Sequence, residues 1–254
     1  MFHLMVEESL REEFILIFIK GNVTINGGYF PSNPFSEGST VKPGTGCSSH
    51  NLDDQPYLSY YYYIVTNTAD DVARIERTGN TYYSIKEAIG RAESGDTITL
   101  LKNIEENKKI EINKNITLNL ANKRIDSTAP DVAVSVSGNN VTICDGGILS
   151  KSDALNRLID NDANNLILNS VDITFTEADG EGSIIGIYNR LNKTLSVTGG
   201  TIVAGNDATP VLAGRSVRLV ENSGTAELKG TKMMLIASEI GDESDGFFNS
   251  GILT

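Results

Sequence analysis

The side chains able to do acid–base or metal chemistry fall into three acidic clusters: Asp160 with Asp162, Asp179 with Glu181, and Asp242 and Glu243 with Asp245. Glycosidic hydrolysis needs two carboxyl groups flanking one bond, so these are the residues to test first. Each cluster reads as a corner between strands. Asp179-Gly-Glu-Gly182 has turn residues on both sides, the pattern of a solvated corner. Asp242-Glu-Ser-Asp245 offers oxygen ligands to calcium but lacks the twelve-residue EF-hand spacing. The basic residues nearest the middle of the repeated region, Arg157, Arg190 and Lys193, read as surface solubility residues. Imidazole is scarce: His3 and His50 both precede the main body of the chain, so a histidine base there is not expected. Cys47 lies three residues from His50 in a Gly/Ser-rich stretch, a weak nucleophile–base pair. A Cys47–Cys144 disulfide is not expected, and Cys144, next to inward Ile143, should face outward or lie in a bend. Tyr60 to Tyr63 could offer rings to a sugar, but in a strand only alternate rings share a face, so packing is the reading. The chain therefore names no catalytic residue, no metal ligand and no cofactor, and its ligand-binding residues are unknown at this level.

The elements that must position these groups are set within 254 residues carrying 33 Asp plus Glu against 21 Lys plus Arg, a formal charge of −12. Such a balance repels phosphate backbones and anionic lipid, so neither nucleic acid nor membrane insertion is expected. The first residues are acidic, and the apolar run Phe14 to Ile19 is six residues long. A bilayer-crossing helix needs about 20, so this run reads as a buried strand and no signal peptide is read in this chain.

A repeat is the dominant signal in the chain. Val141-Thr-Ile143-Cys-Asp-Gly-Gly147-Ile148 shares its skeleton with Leu195-Ser-Val197-Thr-Gly-Gly200-Thr-Ile202, Leu166 to Ile173, and Ala226 to Met233. Ile116-Thr-Leu118-Asn-Leu120 opens a further copy that reaches Ile125 with two extra residues, and Val23 to Phe30 is a distant one. Period-two alternation means strands, and small residues between them mean a bend. Repeats of this length stack as a solenoid. Three rows of stacked side chains are expected: Ile116, Val141, Leu166, Leu195 and Ala226; Leu118, Ile143, Leu168, Val197 and Leu228; Ile125, Ile148, Ile173, Ile202 and Met233. Further strands are expected at Val132 to Val136, Leu155 to Ile159 and Ser183 to Tyr188. Asn115, Asn140 and Asn165 precede the first row at a strict spacing and read as an amide ladder. Ser84-Ile-Lys-Glu87 is a capping box, and Ile85, Ala88, Ile89 and Ala92 then share one helical face. This predicts a helix at about 84–94 lying over the exposed end of the stack.

Tyr82-Tyr-Ser-Ile-Lys-Glu-Ala-Ile89, Gly95-Asp-Thr-Ile-Thr-Leu100 and Lys114-Asn-Ile-Thr-Leu-Asn-Leu120 together resemble the opening of a β-helix repeat module of large bacterial cell-surface proteins, similar in fold to pectin lyase. Gly27-Gly28-Tyr29-Phe30 and Tyr60 to Val65 resemble the closing segment of such a module. Two departures stand out: Ala121-Asn122 where the pattern favours an Asn-Gly turn, and a long excursion from Lys42 to Asp54. The resemblance implies an all-β chain: a right-handed parallel β-helix solenoid over 71–254 with an N-terminal capping α-helix, preceded over 1–70 by the closing strands and loop of another β module. It also implies an extracellular or cell-surface setting within a longer protein. The function expected is a non-catalytic structural or adhesive segment binding glycans or host surface proteins. The alternatives are a polysaccharide lyase or glycoside hydrolase using carboxylates among Asp160, Asp162 and Asp179, and, more weakly, a trimeric phage tail component.

Overall fold

The alternation of apolar and polar residues is realised as parallel ladders. In a computed structural model of the chain, residues 23–35, 41–51, 63–152, 154–175, 183–205, 216–236 and 245–254 are described, and strands predominate with one α-helix among them. Several sequence readings fall outside the described residues: Phe14 to Ile19, His3, Tyr60 to Tyr62, Asp179, Glu181, Asp242 and Glu243. The chain divides into two compact units, Met1–Asp71 and Val72–Thr254.

In the second unit the expected rows pair in register, the first of them from Val141 onward, with Ile116 just before the paired strand and its carbonyl accepting from the Thr142 amide at 3.1 Å. Val141 lies beside Leu166, Leu166 beside Leu195 and Leu195 beside Ala226. Leu118, Ile143, Leu168, Val197 and Leu228 form the next row, which Ile98 extends by one strand. Ile125, Ile148, Ile173, Ile202 and Met233 form the third, extended by Ile104. Apart from Leu228 and Met233, the paired side chains from Leu118 to Ala226 in these rows are buried almost completely. Burying one such side chain is worth about 1.5–3 kcal/mol, so the rows contribute heavily to the stability of this fold.

The bend within each repeat has one recurring cause. Asp145, Ser170, Gly199 and Gly230 follow the in-register residues Cys144, Asn169, Thr198 and Lys229, and all four take left-handed backbone, with φ of 58°, 54°, 67° and 68°. Gly200 is required for a second reason: a Cβ there would lie 2.1 Å from the Val171 carbonyl oxygen. In the earlier copy Ala121 and Asn122 are both left-handed, which absorbs the two extra residues, and the Asn119 side chain accepts from the Ala121 amide at 2.8 Å.

A second parallel sheet runs Ile110–Ile112, Asp131–Val136, Leu155–Asn161, Ser183–Asn189, Ser216–Asn222 and Asp245–Asn249. Its inner row Val134, Ile159, Ile187, Val220 and Phe247 is apolar. The neighbouring row begins with Ile112 and Val136 and then turns polar: Asn161, Asn189, Asn222 and Asn249. Their amides form a chain, each Nδ2 donating to the next Oδ1 at 2.7, 2.6 and 2.7 Å. Asn189 and Asn222 also donate to backbone carbonyls of Thr225 and Ile252, so buried amides are satisfied within the stack.

The ladder expected at Asn115, Asn140 and Asn165 is corrected by this arrangement. Asn140 and Asn165 do share a register, but alternation turns residues beside inward Val141 and Leu166 away from the core. The amide bonds form one residue earlier: Asn164 Nδ2 donates to Asn139 Oδ1 at 2.8 Å, and Asn115 Oδ1 accepts from the Asn139 backbone at 2.7 Å.

The helix spans Ile85–Arg91, shorter than the 84–94 expected. Ser84 caps it by accepting from the Glu87 amide at 3.1 Å. It stops because Ala92 is extended, and Lys114 Nζ binds the carbonyls of Gly90 and Ala92 that a further turn would have used. Ile85, Ala88, Ile89 and Ala92 are buried, and the helix packs on Ile110–Ile112 and Ala73–Ile75. At the same end, Ala73–Ile75 pairs antiparallel to Thr97–Leu100.

In the first unit Val23–Ile25 pairs in parallel with Val41–Pro43, whereas Gly28–Phe30 and Cys47–Asn51 flank Tyr63–Asn67 antiparallel. The upstream copy of the repeat therefore splits between two sheets. The excursion from Lys42 contains a strand, not only loop.

Replacing Asn189 by Ala would break the amide chain in the interior, leaving the Asn161 amide only its longer bond to the Thr194 carbonyl and the Asn222 side-chain oxygen only its bond from the Gly224 amide, both 3.2 Å. The expected loss is about 2–4 kcal/mol, read as a lower urea midpoint with unchanged slope.

Candidate functional site

Of the three acidic clusters, Asp160 with Asp162 is the one whose side chains are all described. Asp160 is not in a corner as expected but within strand Leu155–Asn161, in register with Tyr188, and it is buried. Arg190 grips both of its oxygens, Nε to Oδ1 and Nη2 to Oδ2 at 2.7 Å each, and Arg157 Nη1 adds a bond of 3.1 Å. Burial opposes ionisation of Asp160, but the two guanidiniums outweigh it and hold the carboxyl below its ordinary range. Asp162, exposed, pairs with Lys193 at 3.3 Å. Arg157, Arg190 and Lys193 are thus ion-pair partners and not merely solubilising residues, because the turn after Asn189 folds Arg190 and Lys193 back over the preceding repeat. A carboxylate held by two cations through both oxygens is a poor nucleophile and a poor proton donor.

The same arrangement recurs on this outer face. Arg157 lies over the Tyr188 ring at 4.5 Å, and Arg218 lies over Phe248 at 4.1 Å while bonding Glu221 at 2.8 Å. Asp160, Tyr188, Glu221 and Phe248 form one row, so an acid and a ring alternate from strand to strand.

A different constellation sits at the ends of strands Ile104–Glu106 and Arg124–Ser127. A cleft of about 330 Å³ there is lined by Glu105, Glu106, Asn107, Asp126, Thr128 and Lys151. Register brings Asp126 beside Glu105 and Ser127 beside Glu106. Burial pushes the Glu106 carboxyl up. Asp126 is held down, chiefly by the hydrogen-bonded Arg124 guanidinium against the opposing effect of burial, with Lys151 Nζ at 3.5 Å adding to it. Two carboxyls shifted in opposite directions within one cleft are the usual mark of a site able to divide acid and base roles. None of these residues was singled out from the sequence. Their repeat is short, with Ile125 pairing to Ile104 only 21 positions earlier, so the longer spacing of the later copies does not extend to them. Among the described residues, no group of three or more His, Cys, Asp or Glu is placed to hold a metal ion.

The Cys47–His50 pair does not assemble. Both residues lie on strand Cys47–Asn51, and three positions along a strand put them on opposite faces. Cys47 Sγ instead meets the Asn26 carbonyl at 3.4 Å. His50 is buried, with Nε2 at 2.9 Å from Ser48 Oγ and 3.3 Å from Asp71 Oδ1. Both partners meet the same ring nitrogen, so the ring cannot relay a proton between them as in a catalytic triad. Cys47 and Cys144 are free thiols. Cys144 precedes the bend, where burial, aided by Asp145, pushes its thiol up to about 11.

The opposite shifts give opposite pH behaviour. Asp160, depressed in the folded state, stabilises at neutral pH and loses that contribution as pH falls through its folded range. Asp160→Asn should therefore cost about 1–3 kcal/mol at neutral pH, reduced from a fully buried pair because both arginines keep solvent contact, with the cost fading on acidification. Glu106, raised by burial, is destabilising when ionised, so Glu106→Gln should gain stability at neutral pH and lose that gain in acid. Urea titrations at neutral and acidic pH check both signs.

No family model, curated protein or solved structure matches the chain.

Proposed function

We propose that this chain is a non-catalytic structural and adhesive segment of a bacterial surface protein, with residues 72–254 wound as a right-handed parallel β-helix of pectin-lyase-like kind. The observation that carries the reading is the in-register row of Val141, Leu166, Leu195 and Ala226, each supplied by the next repeat in sequence. Parallel strands joined by crossovers wind right-handed in nearly every known case, which supports the handedness. A stack in which each repeat grips its neighbours is stiff along its axis and presents long sheet faces, a geometry suited to spacing and to extended ligands such as glycans or host proteins. The use of charge also favours this reading, because Asp160 and its arginines are committed to one another.

A second reading, a polysaccharide lyase or hydrolase, is favoured by the Glu106–Asp126 cleft and not by Asp160 and Asp162. Incubating the protein with neutral and acidic polysaccharides while following new reducing ends and unsaturated products separates the two. The first reading predicts retention on immobilised glycans or host proteins with no product. Steady product release that Glu106→Gln abolishes would replace it with the second.

A further inference from the structure

We propose that the cleft at the ends of Ile104–Glu106 and Arg124–Ser127 is a binding site for a neutral, hydroxyl-rich saccharide, with Glu105 and Glu106 accepting hydrogen bonds from its hydroxyls. The inference rests on the adhesive reading above and gives adhesion a location. Three successive repeats build the site: Glu106 lies in register with Ser127 and Ser127 with Ser150, which delivers Glu106, Thr128 and Lys151 to one edge.

The roles within the cleft differ. Asp126 is already engaged by Arg124 and Lys151, so it forms a wall that orients Lys151. The carboxyl groups of Glu105 and Glu106, by contrast, have no hydrogen-bond or ion-pair partner among the described residues, although the Glu106 backbone carbonyl accepts from the Thr128 amide at 2.8 Å. A carboxylate can accept several hydrogen bonds, and two neighbouring hydroxyls on a sugar ring match its two oxygens. Lys151, Asn107 and Thr128 supply donors around them, so the lining mixes donors and acceptors and contains no aliphatic or aromatic side chain. That disfavours a purely apolar ligand. The two uncommitted carboxyls, on a chain of charge −12, also disfavour uronates, sulfated sugars and phosphates. A volume of about 330 Å³ is at the small end of ligand pockets, with room for a chain end and not a long polymer.

The test is a titration of the whole chain with maltotriose, cellotriose and chitotriose, and with trigalacturonate as the acidic counterpart. The readout is the backbone amide signals of Asn107, Thr128 and Lys151 in NMR spectra. At least one neutral trisaccharide should shift these amides saturably. Glu105→Ala and Glu106→Ala should each weaken its binding about tenfold or more, whereas Glu227→Gln, far from the cleft, should not. Glu106→Gln serves as a second variant that preserves side-chain volume if Glu106→Ala does not fold. The proposal is overturned if no neutral trisaccharide moves these amides, if trigalacturonate binds as well, or if neither Glu106 variant alters affinity. Glycan or host-protein binding that persists while the cleft amides stay still would remove this site and leave the adhesive reading standing. Cleavage of a bound trisaccharide would support the site and overturn the non-catalytic reading instead.

Discussion

A single repeat of this chain cannot bury its own apolar side chains, and the rest of the structure depends on that constraint. Each repeat contributes one residue to each inner row, and Ile143 or Leu168 is removed from water only when the strands on both sides are in place. The stack is therefore cooperative between neighbours. Register becomes as important as composition, because a slip of one residue would turn every inner side chain outward. The left-handed step at Asp145, Ser170, Gly199 and Gly230 maintains that register by bending every strand pair at the same place.

Polar residues enter the structure on two different terms. Inside, they are tolerated where they can be chained: the Asn161, Asn189, Asn222 and Asn249 amides satisfy one another and the nearby carbonyls, so they continue a row that Ile112 and Val136 begin as apolar. On the outer face of the same sheet, Arg157, Asp160 and Arg190, and then Arg218 and Glu221, neutralise one another across strands. Against that background Glu105 and Glu106 stand apart, since their carboxyls line a cleft and have no partner among the described residues.

Legibility in the sequence followed the regularity of spacing. Rows through Val141, Leu166 and Leu195 were readable because the same apolar–polar–apolar start, small-residue bend and apolar close recur in each copy although the copies differ in length, and the buried face of the helix was readable from its 3.6-residue period. Asn161, Asn189, Asn222 and Asn249 were not, because they lie 28, 33 and 27 residues apart and no constant period reveals them. Asp160, whose acidic stretch reads as a corner between strands, is buried within a strand because Arg190 arrives from the next repeat to pair with it. The Glu106–Asp126 cleft was hidden by the short repeat that precedes Ala121 and Asn122. The ion pairs and the cleft are products of three-dimensional adjacency between repeats of unequal length.

The most direct test of the stacked register is a methyl NOE spectrum of the protein with labelled isoleucine. Ile125, Ile148, Ile173 and Ile202 should give strong cross-peaks only between consecutive members, reporting one continuous row. Cross-peaks linking Ile125 to Ile202, or the absence of contact between Ile148 and Ile173, would contradict the stack.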